Sequence, residues 1–270
     1  MSMQNDSHEK FEKLCAYLKS LGSCAIAFSG GVDSAFLLKT AHDLLGKNIV
    51  AVTVKSAFLS EAECNEAVSL CKSLDVEHVQ LDVDVLSDSE ICGNPKNRCY
   101  ICKKKIFNMI IAEAERRNLS CVCDGSNIDD TGDYRPGLKA LSELGIKSPL
   151  MECGLHKADI RELSKEAELR TWNKPSLACL ASRIPYGEEI TARKLGMIEH
   201  AEAFLFGLGF SQFRVRLHGE NLARIEVLPS ELQSLFAYRG EIVQEFRNAG
   251  FSYISLDLQG YRTGSLNEVI

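Results

Sequence analysis

The chain has 270 residues, of which 45% are hydrophobic and 25% are charged, and its formal net charge is −6. These values are typical of globular proteins and exclude a disordered, collagen-like or coiled-coil chain. The acidic balance argues against a nucleic-acid partner, because proteins that bind a phosphate backbone usually carry a basic face. No apolar run approaches the ~20 residues that span a bilayer, and the first ten residues lack a signal-peptide core. We therefore expect a cytoplasmic protein with no membrane partner.

Over roughly the first 170 residues, apolar spacing predicts strands and helices that alternate along the chain. The expected helices are residues 11–21, 35–45, 64–71 and 160–167, and the expected strands are residues 24–28, 49–54, 77–83 and 119–123. Strands that alternate with helices indicate a parallel sheet covered on both faces. The expected fold class is therefore α/β, with a doubly wound parallel sheet.

The last third of the chain has a different pattern. Residues 171–187 contain two prolines and no clear period, and loops of that length in a compact domain are usually functional. After them we expect a helix, two strands, a helix and a strand, at residues 192–208, 213–217, 223–227, 231–249 and 253–258. This order indicates a small α+β domain. We place the boundary near residue 188, which gives domains 1–187 and 188–270, the second for substrate binding or oligomerisation.

The string Ser-Gly-Gly-Val-Asp-Ser at residues 29–34 lies between the first predicted strand and a predicted helix. Its two glycines lack a Cβ, so backbone N–H groups can approach an oxyanion. The helix start adds a partial positive charge. Asp33 would repel a phosphate unless a cation intervenes, which implies Mg²⁺. The string is neither a Walker loop nor a dinucleotide fingerprint, and a tight turn with a serine N-cap is the alternative.

This string resembles the pyrophosphatase loop of the N-type ATP pyrophosphatases, which adenylate a substrate and release pyrophosphate. The resemblance implies ATP at the carboxyl ends of the strands. Residues 124–130, Asp-Gly-Ser-Asn-Ile-Asp-Asp, resemble the second nucleotide-site loop of the superfamily, and a solvated Asx-rich turn is the alternative. The ATP-binding residues that the resemblance implies are Ser29, Gly30, Gly31, Val32, Asp33, Ser34, Gly125 and Asp129, with Ser56 as a weaker candidate for the adenine side.

The 11 cysteines are odd in number and scattered, and we expect reduced thiols, since disulfide frameworks belong to small secreted domains. Cys99 and Cys102 form a C-x-x-C before a predicted helix, where two thiolates can hold one metal or cluster. A redox pair, two packing cysteines and a structural zinc are the alternatives. Cys121 and Cys123 lie in an apolar predicted strand and are expected to be core residues.

Cys179 lies in the long loop, within Lys-Pro-Ser-Leu-Ala-Cys-Leu-Ala-Ser-Arg-Ile-Pro at residues 174–185. The neighbouring cations Lys174 and Arg183 favour a thiolate. A cysteine buried beneath a proline-rich loop is the alternative, and the residues alone leave the two open.

Arg214 and Arg216 alternate on a predicted strand, so they share one face. Two guanidinium groups on one face could clamp a phosphate or carboxylate bidentately. Two solvated arginines are the alternative.

Four motifs together resemble the LarE family over nearly the whole chain: residues 29–34, residues 174–187, Arg-Val-Arg-Leu-His-Gly at 214–219 and Leu-Asp-Leu-Gln-Gly-Tyr-Arg-Thr-Gly-Ser at 256–265. LarE proteins are ATP-dependent sulfur transferases that help to build the nickel-pincer nucleotide of lactate racemase. They convert carboxylates of pyridinium-3,5-biscarboxylic acid mononucleotide to thiocarboxylates. The resemblance implies this small pyridinium nucleotide as substrate and a homo-oligomer as the assembly.

Some LarE members sacrifice one cysteine, whose position matches Cys179, and three-cysteine members resemble iron–sulfur enzymes with a [4Fe-4S] cluster. The C-x-x-C favours the three-cysteine subgroup, so the resemblance implies ATP, Mg²⁺ and a [4Fe-4S] cluster as cofactors. Whether the sulfur comes from the thiol or from cluster-bound sulfide stays open. The implied catalytic residues are Cys179, Asp33 and Arg183; the substrate contacts are Ser182, Arg183, Arg214, Arg216, Lys103 and Arg262; and the metal ligands are Cys99, Cys102 and Cys179 for the cluster and Asp33 for Mg²⁺.

Two other functions fit part of the pattern. A tRNA thiolase shares the ATP loop and sometimes has three cluster-binding cysteines, although the acidic balance of the chain weighs against it. A non-catalytic ATP-binding sensor explains the loop but leaves the cysteines without a role.

Overall fold

The computed structural model describes residues 2–132, 136–175, 179–262 and 264–265, with the backbone alone for residues 2–5 and 132. Residues 176–178 and Thr263, which belong to two of the motifs, lie outside the described residues. The chain divides into two compact units. The first consists of residues 1–56, 61–83 and 99–176, and the second of residues 57–60, 84–98 and 177–270. The boundary near residue 188 stays a prediction.

The described residues form strands β1 (Cys24–Ala27), β2 (Ile49–Lys55), β3 (His78–Asp82), β4 (Val122–Cys123), β5 (Phe213–His218), β6 (Leu222–Val227) and β7 (Tyr253–Leu256). They also form helices α1 (Ser2–Leu21), α2 (Val32–Leu45), α3 (Glu61–Ser73), α4 (Ser89–Cys92), α5 (Arg98–Arg116), α6 (Pro136–Glu143), α7 (Pro149–Glu152), α8 (Lys157–Glu166), α9 (Ala192–Gly207), α10 (Leu232–Ala237) and α11 (Arg239–Ala249). No helix among the described residues is long and apolar enough to cross a membrane.

The first unit contains a parallel sheet with the strand order β3-β2-β1-β4. The chain moves outward from β1 to β3 and then returns to the other side of β1. The strand order therefore reverses between β1 and β4. In open α/β sheets a ligand crevice forms outside the carboxyl ends of the strands at such a reversal.

Helices cover both faces of this sheet. Since successive residues of a strand point to opposite faces, neighbouring residues of β1 pack in different cores. On one face, Ile26 of β1 packs in a core with Phe36 of α2. On the other face, its neighbour Ala25 packs in a core with Phe107 and Ile110 of α5. The doubly wound α/β fold that the alternating pattern predicted is confirmed.

The second unit contains a three-stranded sheet with the order β5-β6-β7. β5 pairs antiparallel with β6, and β6 pairs parallel with β7. The helix expected over residues 231–249 is wrong in one respect, because it is broken at Tyr238 into α10 and α11. The ring of Tyr238 packs edge-on against Phe210, with 6.4 Å between the ring centroids. A tertiary contact therefore accompanies the break, and apolar spacing along the segment does not report it.

Two further expectations differ from the structure near the motifs. The C-x-x-C was expected before a helix, but Cys99 and Cys102 lie inside the first turns of α5. The fourth strand is two residues long instead of five. Residues 119–121 are not part of the strand, although Cys121 O still accepts a hydrogen bond from Ala25 N of β1 at 2.9 Å.

Thr53 on β2 supports the residue that precedes the 29–34 loop. Its hydroxyl donates to Phe28 O at 2.8 Å and lies 2.8 Å from His78 Nε2. Because the single hydroxyl proton goes to Phe28, the hydroxyl accepts from a protonated Nε2 of His78. Burial lowers the pKa of His78, which agrees with a neutral ring.

Thr53→Val keeps the side-chain volume and removes both hydrogen bonds. We expect the free energy of unfolding to fall by about 1–3 kcal/mol, because Phe28 O and the His78 ring lose a buried partner. Urea unfolding followed by circular dichroism measures the change, with His78→Phe and the double variant completing a mutant cycle. Strictly additive effects of the two single changes would contradict the Thr53–His78 bond.

Candidate active site

The sequence-predicted nucleotide residues lie at one edge of the first unit's sheet. Residues 29–34 follow β1, Ser56 follows β2, and residues 124–130 follow β4. Since the carboxyl ends of adjacent parallel strands meet at the same edge, the fold brings these three segments of the chain together. This edge includes the point where the strand order reverses.

Glycines set the backbone conformation of the 29–34 loop, and serine hydroxyls connect its two ends. Gly30 has φ of +71°, in the left-handed region that favours glycine. Gly31, not a serine, is the N-cap of α2, and it makes no side-chain capping bond. The hydroxyl oxygens of Ser29 and Ser34 lie 3.2 Å apart, and Ser34 donates to Gly31 O at 3.3 Å. The loop's first and last residues are thereby held together.

The second loop packs its backbone directly on the start of α2. A Cβ placed on Gly125 would lie 3.0 Å from Ser34 N and 3.2 Å from Ser34 Cα, so a side chain there would require the backbone of Ser34 to shift. The preceding residue, Asp124, is buried and accepts hydrogen bonds from the hydroxyls of Ser126 and Ser148. The approach of Gly125 to Ser34 packs the two loops together, and the hydroxyl bonds to Asp124 fix the start of the second loop.

Asp33 has the chemistry expected of a Mg²⁺ ligand. Its Oδ2 accepts a hydrogen bond from Lys157 Nζ, while its Oδ1 is buried and has no hydrogen-bond partner among the described residues. Burial raises the pKa of Asp33, and the nearby Lys157 charge opposes this rise. Mg²⁺ is usually bound by one or two carboxylates together with substrate phosphates. The orphaned Oδ1 therefore fits the predicted ion.

Asp129 is engaged at the start of α8. Its Oδ2 accepts from Lys157 N at 2.7 Å, and its Oδ1 lies 2.8 Å from His156 Nδ1. The hydrogen bonds from His156 and then from the Lys157 backbone lower the pKa of Asp129. Its predicted contact with ATP stays a prediction. What the structure shows is a carboxylate that positions the backbone of Lys157, a residue that the sequence reasoning missed.

In the second unit, Arg183 fixes the turn that follows Cys179. It forms a bidentate pair with Glu202 of α9, with both N···O distances at 2.9 Å. The same guanidinium donates to Cys179 O at 3.2 Å and to Ser182 Oγ at 3.0 Å. Ser182 and Arg183 are therefore held beside the backbone of Cys179, as their sequence spacing suggests.

Arg214 and Arg216 are buried, with 9% and 6% of their surface exposed, so the alternative of two solvated arginines is wrong. Arg216 pairs bidentately with the fully buried Glu226 at 3.1 Å. It also donates to Ser182 O at 2.6 Å and to Ser265 Oγ at 2.8 Å. The sequence of β6 did point to Glu226, because this charged residue alternates with apolar residues. β6 pairs with β5, the strand that carries Arg216.

Arg214 stacks on an aromatic ring. Its guanidinium carbon lies 5.2 Å from the centroid of the Tyr261 ring, and its NH1 donates to Phe213 O at 2.6 Å. Burial and then the neighbouring charge of Arg183 lower the pKa of Arg214. Together with Arg216 it contributes to a group of three buried guanidinium groups that faces two carboxylates, Glu202 and Glu226. The second unit thus contains a buried site with excess positive charge.

Two other residues predicted to contact substrate have local contacts of their own. Arg262 donates to Gly260 O at 3.1 Å and lies 3.7 Å from Asp257 Oδ1. In the first unit, Lys103 extends along α5, with its ammonium 5.9 Å from the Phe107 ring centroid. Their roles toward substrate stay predictions.

The cysteines of the two motifs differ in exposure. Cys99 and Cys102 are partly buried and stand three residues apart on α5, so they share one helix face. Cys179 is exposed, which removes the alternative of a thiol buried beneath the loop. Within the described residues, no three His, Cys, Asp or Glu side chains form a metal-binding group. Cys123 lies in the core with Cys121 packed against it, as expected.

Comparison with known proteins fits this arrangement. Residues 23–105, from β1 into α5, match the family model of the queuosine biosynthesis protein QueC. Over 95% of its length, the chain is 36% identical to the pyridinium-3,5-bisthiocarboxylic acid mononucleotide synthase of Lactiplantibacillus plantarum, of which it covers 93%. The chain belongs to the LarE family. An uncharacterized protein of Synechocystis sp. is 41% identical over 97% of the chain and 98% of that protein.

The similarity of this LarE-family chain to other proteins extends beyond the LarE family. A subunit of the glutamine-hydrolyzing GMP synthase of Thermoplasma volcanium is 26% identical over 66% of the chain and 61% of its own length. This similarity agrees with the string at residues 29–34, which resembles the pyrophosphatase loop of a superfamily that includes GMP synthetase.

Gly125→Ala tests the contact between the two loops of the LarE-family site. We expect a clear fall in the melting temperature, because the new Cβ meets the backbone of Ser34, which cannot move without shifting α2. Gly31→Ala is the matched control, since its Cβ would meet only Ser29 Oγ, at 3.4 Å. Equal melting temperatures for the two variants, measured by differential scanning calorimetry, would argue against the close approach.

Asp33→Asn tests the electrostatic state of the loop. Because the pKa of Asp33 is raised in the folded state, ionising this carboxyl destabilises the fold as the pH rises through that pKa. We expect the variant to be more stable than the wild type at about pH 8, and the gain to vanish near about pH 3, where Asp33 is mostly protonated in both states. Chemical unfolding at several pH values measures the difference.

Asp43→Asn is the control for this pH series, because Asp43 lies on the same helix, is exposed and pairs with Lys39. We expect no comparable gain from it. An Asp33→Asn variant that is less stable than the wild type at about pH 8 would show that the Lys157 pair outweighs burial.

Proposed function

We propose that this chain is an ATP-dependent sulfur transferase that activates a carboxylate as an acyl adenylate and converts it to a thiocarboxylate. The substrate we propose is pyridinium-3,5-biscarboxylic acid mononucleotide, the precursor of the product named for the Lactiplantibacillus plantarum relative. The observation that carries the proposal is membership of the LarE family together with an exposed Cys179 next to buried arginines.

The first half of the reaction follows from the chemistry of a carboxylate, which is a poor electrophile because oxide is a bad leaving group. A carboxylate oxygen attacks the α-phosphate of ATP, the bond to pyrophosphate breaks, and the acyl carbon gains AMP as a leaving group. The backbone amides of residues 29–34 receive the charge of the departing pyrophosphate. Asp33 would hold Mg²⁺, whose chemistry there is to neutralise phosphate charge.

The second unit supplies the binding site for the substrate's anionic groups. Three buried guanidinium groups face two carboxylates, and Arg224 also pairs with Glu226, so positive charge is in excess where a phosphate or carboxylate would bind. Arginine suits this task because its planar fork binds such groups bidentately. Ser182, fixed between Arg183 and Arg216, adds a hydroxyl at the same place.

Sulfur transfer is assigned to Cys179. If the thiol is the donor, its sulfur attacks the acyl carbon and AMP leaves. Loss of the Cα proton then breaks the Cβ–S bond, which yields a thiocarboxylate and dehydroalanine. The LarE resemblance assigns Cys99, Cys102 and Cys179 to a [4Fe-4S] cluster. Two of these thiolates lie on one face of α5, which suits C-x-x-C ligands, while the described side chains do not gather all three. That cluster would supply sulfide and so spare Cys179.

We also propose that the protein works in the cytoplasm as a homo-oligomer that contacts neither nucleic acid nor membrane. The second unit carries exposed large apolar side chains, which are typical of protein interfaces when they lie together. They are Phe206, Phe236, Tyr253 and Leu258.

Cys179→Ala is the test of the sulfur step. We expect the variant to form AMP and pyrophosphate in the presence of substrate but no thiocarboxylate, because adenylation does not use the thiol. Liquid chromatography with mass spectrometry measures both products, and Cys15→Ala, at a partly buried cysteine of α1, is the control. A Cys179→Ala variant that still makes thiocarboxylate would refute the assignment, and so would wild-type protein that forms no AMP.

The wild-type protein also separates the two sulfur sources. An anaerobic preparation with iron and acid-labile sulfide, and an unchanged Cys179 after turnover, supports the cluster. Loss of the elements of H₂S from Cys179 in the peptide mass spectrum supports the consumed thiol instead.

A further inference from the structure

Two lysines from distant parts of the chain rest on the 29–34 loop. Lys157, the first residue of α8, donates from Nζ to Asp33 Oδ2. Lys174 donates from Nζ to Gly30 O at 3.1 Å and also pairs with Glu66 of α3. Each lysine lies more than a hundred positions from its loop partner. The fold therefore places two ammonium groups on the loop that the sequence reasoning did not assign to it.

The backbone of each lysine is fixed, while its charged end stays on a flexible stem. Lys157 N is held by Asp129 Oδ2 at 2.7 Å. Lys174 O accepts from Arg161 NH2 at 2.7 Å, and the same guanidinium donates to Trp172 O at 2.7 Å. Because Arg161 also lies on α8, one helix anchors both lysines.

The position of Lys174 is not explained by its ion pair alone. The Glu66 side chain is 59% exposed, and exposed ion pairs contribute little to stability. The Lys174 side chain is only 17% exposed, and its ammonium reaches past this partner to a loop carbonyl. A lysine that gives up hydration in this way is placed to meet a stronger acceptor at the same loop.

A polyphosphate bound by the loop's backbone amides would be that acceptor. Amide and ammonium groups bind phosphate oxygens at about 3 Å, and both Nζ atoms already lie within hydrogen-bond distance of loop atoms. A lysine ammonium is a compact charge that turns readily on its four-carbon stem. Both could move from their present partners to phosphate oxygens without any change in their backbones.

We propose that Lys157 and Lys174 are phosphate-binding residues of the pyrophosphatase loop, which exchange Asp33 Oδ2 and Gly30 O for the β- and γ-phosphates of ATP. The exchange would release Asp33 Oδ2 from Lys157, so that Asp33 could hold Mg²⁺, and would give the departing pyrophosphate two cations. This inference rests on the proposed function only in its use of ATP. It applies to ATP and pyrophosphate and not to AMP, which lacks the two outer phosphates.

The difference between ATP and AMP provides the experiment. The dissociation constants of both nucleotides are measured with Mg²⁺ by equilibrium dialysis on the full chain, for Lys157→Met, Lys174→Met and the wild type. We expect each variant to bind ATP about tenfold more weakly, the loss of one charge-assisted hydrogen bond, and to bind AMP within about twofold of the wild type.

Lys165→Met is the matched control, because Lys165 also lies on α8 and its ammonium stacks over Trp172, 5.1 Å from the ring centroid. Lys157→Arg and Lys174→Arg keep the charge, so we expect them to retain most of the ATP affinity. They also keep the test decisive if a methionine variant does not fold.

Equal losses for ATP and AMP, or no loss for either, would overturn the assignment of the two lysines. Wild-type protein that binds ATP while both methionine variants bind it equally well would overturn this inference and leave the proposed function standing. Wild-type protein that binds no ATP would overturn both.

Discussion

The close contact between two backbones at the β1–β4 reversal is the constraint on which the nucleotide site depends. Gly125 lies against the backbone of Ser34, where a Cβ would require that backbone to shift. Gly30 turns the chain with a positive φ a few residues earlier. Because glycine favours the turn and permits the contact, the two loops approach each other closely at the sheet edge. The hydroxyls of Ser29 and Ser34 connect the ends of the loop, and Thr53 donates to Phe28 O just before it.

The loop also brings one carboxylate and two ammonium groups close together. Asp33 is buried enough that its pKa rises, yet Lys157 keeps one of its oxygens engaged. Lys174 Nζ donates a hydrogen bond to the carbonyl oxygen of Gly30 in the same loop. The proposed polyphosphate and its cation need both signs of charge within reach. Helix α8 supplies one positive charge through Lys157 and positions a second, Lys174, through the bond from Arg161 to Lys174 O.

In the second unit, the buried arginines have hydrogen-bond and ion-pair partners in place of water. Glu202 and Glu226 each accept a bidentate pair, and Ser182 and Ser265 complete the hydrogen bonds of Arg216. Arg214 stacks on Tyr261, and its lowered pKa shows that burial and like charge act on it. Buried ion pairs of this kind contribute more to positioning than to stability. They hold Ser182 and the turn after Cys179 in one place.

The amino-acid sequence by itself determined the alternating strands and helices, the glycine loop, the C-x-x-C and the LarE resemblance, because periodicity and turn chemistry are local properties of the chain. Tertiary structure alone decided the break at Tyr238, the burial of Arg214 and Arg216, and the exposure of Cys179. It alone also placed Lys157 and Lys174 on the loop. Burial and ion pairing depend on which segments pack together, and the two lysines reach the loop from more than a hundred positions away. Local periodicity does not report contacts of that kind.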